Sequence, residues 1–105
     1  SIMSVLMSFA MFPTDCGSSV SPYVSRIVKM VAESGYDYRL TPMATIVETA
    51  TLQESLNLVD KAYALVADAG NRVYCTATFD IQTNKPMGRI TGKIASIEEK
   101  IGKVK

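Results

Sequence analysis

A chain of 105 residues has room for one ordinary domain and no second core. Hydrophobic residues make up 48% of it and charged residues 20%, the balance of a packed protein rather than a disordered one. Eleven basic side chains stand against ten acidic ones, so the bulk charge favours neither a nucleic-acid backbone nor an anionic membrane surface.

The apolar start, Ile2 to Phe12, has no Lys or Arg before it, is interrupted by Ser4 and Ser8, and lacks a small-residue cleavage pattern. It is also too short to span a bilayer. Val5, Met7 and Phe9 alternate with Ser4, Leu6, Ser8 and Ala10, which predicts a central strand from Ser4 to Met11. Ser1 and Ile2 precede a candidate initiator, Met3, so the domain is expected to cover 3–105. Pro13 to Ser18 reads as a loop.

A first helix follows, with Ser19 or Ser21 as its expected cap and Pro22 in its first turn, where a missing N–H is harmless. Val20, Tyr23, Val24, Ile27, Val28 and Val31 form one buried stripe, and Gly35 supplies a left-handed stop. From Tyr36 to Thr41 the period changes to two, as in a half-exposed edge strand. Pro42 and Met43 turn the chain into a second hairpin strand, Ala44 to Thr49, with Thr45, Ile46 and Val47 β-branched in a row.

Thr51-Leu-Gln-Glu54 is a capping box that opens a second helix. Its expected buried face is Leu52, Leu56, Val59, Tyr63 and Val66, and Gly70 is expected to end it. Arg72 to Ile81 alternates cleanly as the last strand. Ile90, Ile94, Ile97 and Ile101 then predict an amphipathic C-terminal helix, in which Gly92 costs about 1 kcal/mol against Ala. The order predicts an α+β, ferredoxin-like βαββαβ fold with a four-stranded antiparallel sheet, two helices on one face and an extra C-terminal helix. The first and third strands should be central.

Two helices cover one face of such a sheet. Ser8, Ile46, Glu48, Tyr74, Thr76, Thr78 and Asp80 are expected on the other, either half-buried against a second subunit or forming a polar pocket. Glu48 reads as a solvated strand terminus or as a buried acceptor, with composition favouring the former. Asp80 is equally ambiguous, and sequence alone cannot place it relative to Glu48. With no histidine, Ser-His and Cys-His nucleophiles and His-bearing zinc sites are excluded. Cys16 and Cys75 form no C-x-x-C pair and read as reduced thiols of a cytoplasmic protein. Gly88-Arg-Ile-Thr-Gly92 matches no phosphate-binding fingerprint, and Val73 to Phe79 lacks the basic-Gly-aromatic run of RNA-binding modules.

The run Tyr38-Arg-Leu-Thr-Pro-Met-Ala-Thr45-Ile-Val-Glu48 resembles the L-x-P-M-G-T-x-x-E hairpin of the YkoF-like thiamine-binding proteins. Ser19 to Val24, Arg72 to Asp80, and Lys93 to Glu98 resemble that family's first-helix start, last strand and C-terminal helix. Ala44 stands where the family pattern usually has Gly. The resemblance implies a ferredoxin-like fold, homodimers or homotetramers, and binding of thiamine or its aminopyrimidine part. It implies no reaction; no cofactor or metal is expected, and on the charge balance no nucleic-acid or membrane partner. Thiamine offers a cationic thiazolium and a donating amine, so its site wants a carboxylate, a hydroxyl and polarizable apolar contacts. Glu48, Thr45, Ser21, Met43 and Phe9 or Phe12 are the candidates, with Glu48 as anionic anchor. A ligand-binding protein in vitamin homeostasis or delivery is thus expected. The alternative is a regulatory or assembly module whose open sheet face serves only homo-oligomer contacts.

Overall fold

The computed structural model describes residues 2–105; Ser1, set ahead of the domain above, lies outside them. The chain forms β1 (Ser4–Pro13), α1 (Ser21–Glu33), β2 (Asp37–Leu40), β3 (Thr45–Thr49), α2 (Leu52–Val66), β4 (Val73–Gln82) and α3 (Arg89–Ile101). The strands make one antiparallel sheet in the order β2-β3-β1-β4, so the first and third are central. This is the expected ferredoxin-like α+β plan with its added helix.

Alternation divides the sheet cleanly. Met7, Phe9, Met11 and Val47 point to one face, where they pack with Ile27 and Val31 of α1 and Leu58, Ala62 and Val66 of α2. The register places Ser8, Ile46, Glu48, Tyr74, Thr76, Thr78 and Asp80 together on the opposite face, as expected. Helix α3 starts on that opposite face and runs against β1 and β2. β4 is exposed along most of its length, and its outer edge has no partner strand among the described residues.

Three local expectations need correction. The N-cap of α1 is Val20, without a side-chain cap bond, so neither Ser19 nor Ser21 serves; Pro22 needs no N–H partner, and Gly35 does turn left-handed. The buried face of α2 is Ser55, Leu58, Ala62 and Val66, while Leu56 and Tyr63 are exposed. Small side chains explain the rotation: Ser55 and Ala62 let the helix approach closely, and Ser55 Oγ meets Thr49 Oγ1 at 2.6 Å. Finally, α2 ends at Val66 with Ala67 as its C-cap, and Gly70 has no left-handed φ. Its role is proximity, because a Cβ there would collide with the Asp15 carboxylate. That carboxylate accepts the Asn71 amide at 2.9 Å and the Arg72 amide at 3.4 Å, tying the loop after β1 to the start of β4.

Candidate functional site

β1 outruns β3. Their pairing stops at Phe9 opposite Thr45, yet β1 continues beside β4 as far as Pro13 opposite Val73. From Ala10 to Phe12 it therefore has a strand on one side only, and alternate backbone N–H and C=O groups face the vacant side. The β2–β3 hairpin loop and α1 enclose that side as a cavity of about 210 Å³. Pockets for drug-sized ligands hold roughly 300–1,000 Å³, so this one suits a single ring and little more.

Four of the expected site residues line this cavity: Phe9, Phe12, Met43 and Thr45. Phe9 and Thr45 are buried, Phe12 is half-buried, and Met43 is 85% exposed at the loop. The Thr41 hydroxyl fixes the loop shape by donating to the Ala44 carbonyl at 2.8 Å. It also accepts the Ala44 amide at 3.1 Å and the Met43 amide at 3.3 Å. Among the described residues no non-glycine has a positive φ, so Ala44 fits its backbone without strain where the family pattern has glycine. No charged side chain lines the cavity among the described residues. Ser21 is exposed and is not among the lining residues. Sequence reasoning missed Met11, Leu40 and Thr41, which line the cavity because the hairpin folds over the free edge of β1.

Glu48 is not with them. It lies three residues along β3 from Thr45, about 10 Å, and on the opposite face of the sheet. The solvated terminus that composition favoured is not what forms: Glu48 is 1% exposed. Its carboxylate accepts the Gly88 amide at 2.9 and 3.1 Å, the Arg89 amide at 3.2 Å, and the Ser4 hydroxyl. Helix α3 has no side-chain cap and no acid in its first turn, so this carboxylate from another strand acts as its cap.

Asp37 at the exposed edge is paired directly with Glu48, and Asp80 is the acid across β1 from it. Leu6 is paired with Glu48 on one side and Asp80 on the other, so the two acids sit two strand spacings apart, about 10 Å. Between them runs Arg89, itself 8% exposed. It donates to Asp80 Oδ2 at 3.2 Å, the Asp80 carbonyl at 2.7 Å, the Ser4 carbonyl at 2.8 Å and Ser4 Oγ at 3.0 Å. Both carboxylates are thus engaged by the protein's own donors. The two thiols are free; Cys75 lies on the exposed strand β4, and the desolvation it does undergo pushes its thiol above the ordinary value. The described residues contain no cluster of three or more His, Cys, Asp or Glu that could hold a metal ion.

The sequence matches the family model described as thiamine-binding protein over residues 7–98. It is 32% identical over 87 residues to a UPF0045 protein of Methanothermobacter thermautotrophicus, covering 82% of this chain and 87% of the relative. A UPF0045 protein of Mycobacterium bovis is 29% identical over 96 residues, covering 91% of this chain and 93% of its own. Among solved structures, a hypothetical protein from Methanocaldococcus jannascii superposes with a TM-score of 0.77 at 25% identity, covering 91% and 97% of the two chains. A candidate thiamine biosynthesis/salvage protein from Thermotoga maritima gives a TM-score of 0.75 at 17% identity, covering 90% and 98%, which speaks for the fold. On the family match across most of its length, the chain belongs to the thiamine-binding protein family.

Proposed function

We propose that this protein is a non-catalytic binder of thiamine that holds the aminopyrimidine ring in the hairpin cavity, in the service of vitamin homeostasis or delivery. The observation that carries this is the meeting of Phe9, Phe12, Met43 and Thr45 beside the one-sided stretch of β1. An aminopyrimidine presents a donor and an acceptor on adjacent edge positions, the pattern that an unpaired strand edge accepts. The Thr45 hydroxyl adds a further partner, and the phenylalanines and Met43 supply apolar, polarizable contacts for the ring. The thiazolium then projects past Met43 toward solvent, because the cavity has neither the volume nor the charge for it. In this reading Glu48 is a positioning residue that fixes α3, not an anchor for the cation. The family match supports the ligand class.

Calorimetric titration with thiamine and with its hydroxymethyl-pyrimidine fragment tests the proposal. Both should bind, with affinities within about tenfold of each other, since the ring makes most of the contacts. Thr45→Val should weaken both by about two- to tenfold, the worth of one hydrogen bond. Saturable binding by neither compound would sink the proposal. Thiamine binding that far exceeds that of the fragment would move the site to a carboxylate.

A further inference from the structure

Gly88, Arg89 and Gly92, from the run that matches no phosphate-binding fingerprint, help to wall a second and larger cavity. This space of about 520 Å³ lies between α3, the segment leading into it, and the open sheet face at Leu6 and Asp80. Its size is in the range that takes a whole small molecule. Its apolar surface comes from Leu6, Met87 and Ile97, the last two a little under half exposed to solvent. Its charged groups are Lys85, Lys93, Arg89 and Asp80. The carboxylate is spent on Arg89, which is the one ion pair among the described residues, so Lys85 and Lys93 are left without an acidic partner. In a protein of net charge +1, that is a local concentration of positive charge on an apolar floor.

Gly92 gives an independent indication. It sits inside α3, where glycine is disfavoured against alanine by about fivefold in the folded-to-unfolded ratio. Packing does not require it, because a Cβ at this position would meet no atom within 4 Å. Its φ is not left-handed either. Since Gly92 lines the cavity, the missing Cβ leaves room for something to approach the helix backbone closely.

We infer that this cavity is a second binding site, separate from the hairpin cavity, for a small organic anion with an apolar body: a phosphate or carboxylate head between Lys85 and Lys93, and a hydrocarbon or ring against Leu6, Met87 and Ile97. The head gains charge-assisted hydrogen bonds from the lysines, and the body removes exposed apolar surface from water. Glu48 does not line this cavity; its carboxylate is directed at the first amides of α3 instead.

Phenyl phosphate and benzoate are the probes, titrated into the full chain with phenol and inorganic phosphate as half-ligands. At least one of the two complete probes should saturate at one per chain, and which of them binds more tightly identifies the head group. Each half-ligand should bind at least about tenfold more weakly. Lys93→Gln should cost about tenfold in affinity, the loss of one charged partner. Gly92→Ala is the sharper variant: it should melt no lower than the parent, since helix propensity improves, yet bind the probe more weakly because the Cβ occupies ligand space. The pyrimidine fragment of thiamine should not compete with the probe. No saturable binding of either complete probe overturns the inference, as does binding indifferent to both Lys93→Gln and Gly92→Ala. Competition by the pyrimidine fragment would place the anion in the hairpin cavity and overturn it equally.

Discussion

Ser4 and Glu48, 44 residues apart in the chain, share a buried hydrogen bond in which the serine hydroxyl donates to the carboxylate. Ser4 Oγ in turn accepts from Arg89 Nε, so a relay of donors runs from the guanidinium through the hydroxyl to the acid. Together with the amides of Gly88 and Arg89 this supplies the donors that a buried carboxylate needs in place of water. It also fastens α3 to the sheet, because Glu48 belongs to β3 and Ser4 to β1.

Glu48→Gln should therefore act on stability first. The amide keeps the shape but turns one acceptor into a donor that faces N–H groups. A loss of about 1.5–3 kcal/mol in urea denaturation is expected, the worth of a hydrogen bond to a charged group. Affinity for the pyrimidine fragment should change little. An unchanged denaturation midpoint would show that α3 is held by other contacts.

The cap of α2 is complete: the Thr51 hydroxyl accepts the Glu54 amide at 3.2 Å, and Glu54 Oε1 accepts the Thr51 amide at 3.1 Å. Thr51→Ala should cost about 1 kcal/mol and leave the fold intact, measured as a shift in denaturation midpoint at constant slope.

Gly70 and Asp15 should be coupled. Gly70→Ala displaces the Asp15 carboxylate from the amides of Asn71 and Arg72, which should cost about 1 kcal/mol. In an Asp15→Ala background the same substitution has no carboxylate to displace. A double-mutant cycle should show the cost disappearing there, and additive effects would mean that the contact does not matter.

We expect self-association into a dimer or tetramer that buries more than roughly 1,000 Å² per contact. The motivation is the bareness of β4, which leaves Tyr74 (48%), Phe79 (37%) and Ile81 (44%) exposed, and of α3, which leaves Ile94 and Ile101 exposed outside the second cavity. Sedimentation as a monomer at micromolar concentration would refute it.

The fold was legible because each strand and helix carries its own period. Alternation marks β1 and β4, and the capping box marks the start of α2. What sequence could not show is whatever depends on close approach or distant partners. The true inner face of α2 contains Ser55 and Ala62, which an apolar stripe passes over. The burial of Glu48 depends on backbone amides 40 and 41 residues further on, and amides leave no trace in a sequence. The hint was indirect: a helix beginning at Arg89 with no acceptor of its own in the first turn must find one elsewhere. The candidate site divided for a similar reason. Phe9, Met43 and Thr45 come together because β1 is longer than β3, with Phe12 bordering the cavity from the other face beside Tyr74, whereas Glu48 lies on that other face and under α3.

The strand order also governs how the protein can be made. β1 is synthesised before every other element, yet its two neighbours are β3 and β4, and its longest pairing, Ser4 opposite Gln82 through Pro13 opposite Val73, needs the last strand of the sheet. A nascent chain that has emerged only as far as α2 carries a central strand with one edge open and Val5, Met7, Phe9 and Met11 incompletely covered. Pairings so distant in sequence fold slowly and leave such surfaces open to other chains meanwhile. The domain must therefore complete its core after nearly all of it has left the ribosome, and a chain truncated before β4 should gather into aggregates rather than wait as a folded half.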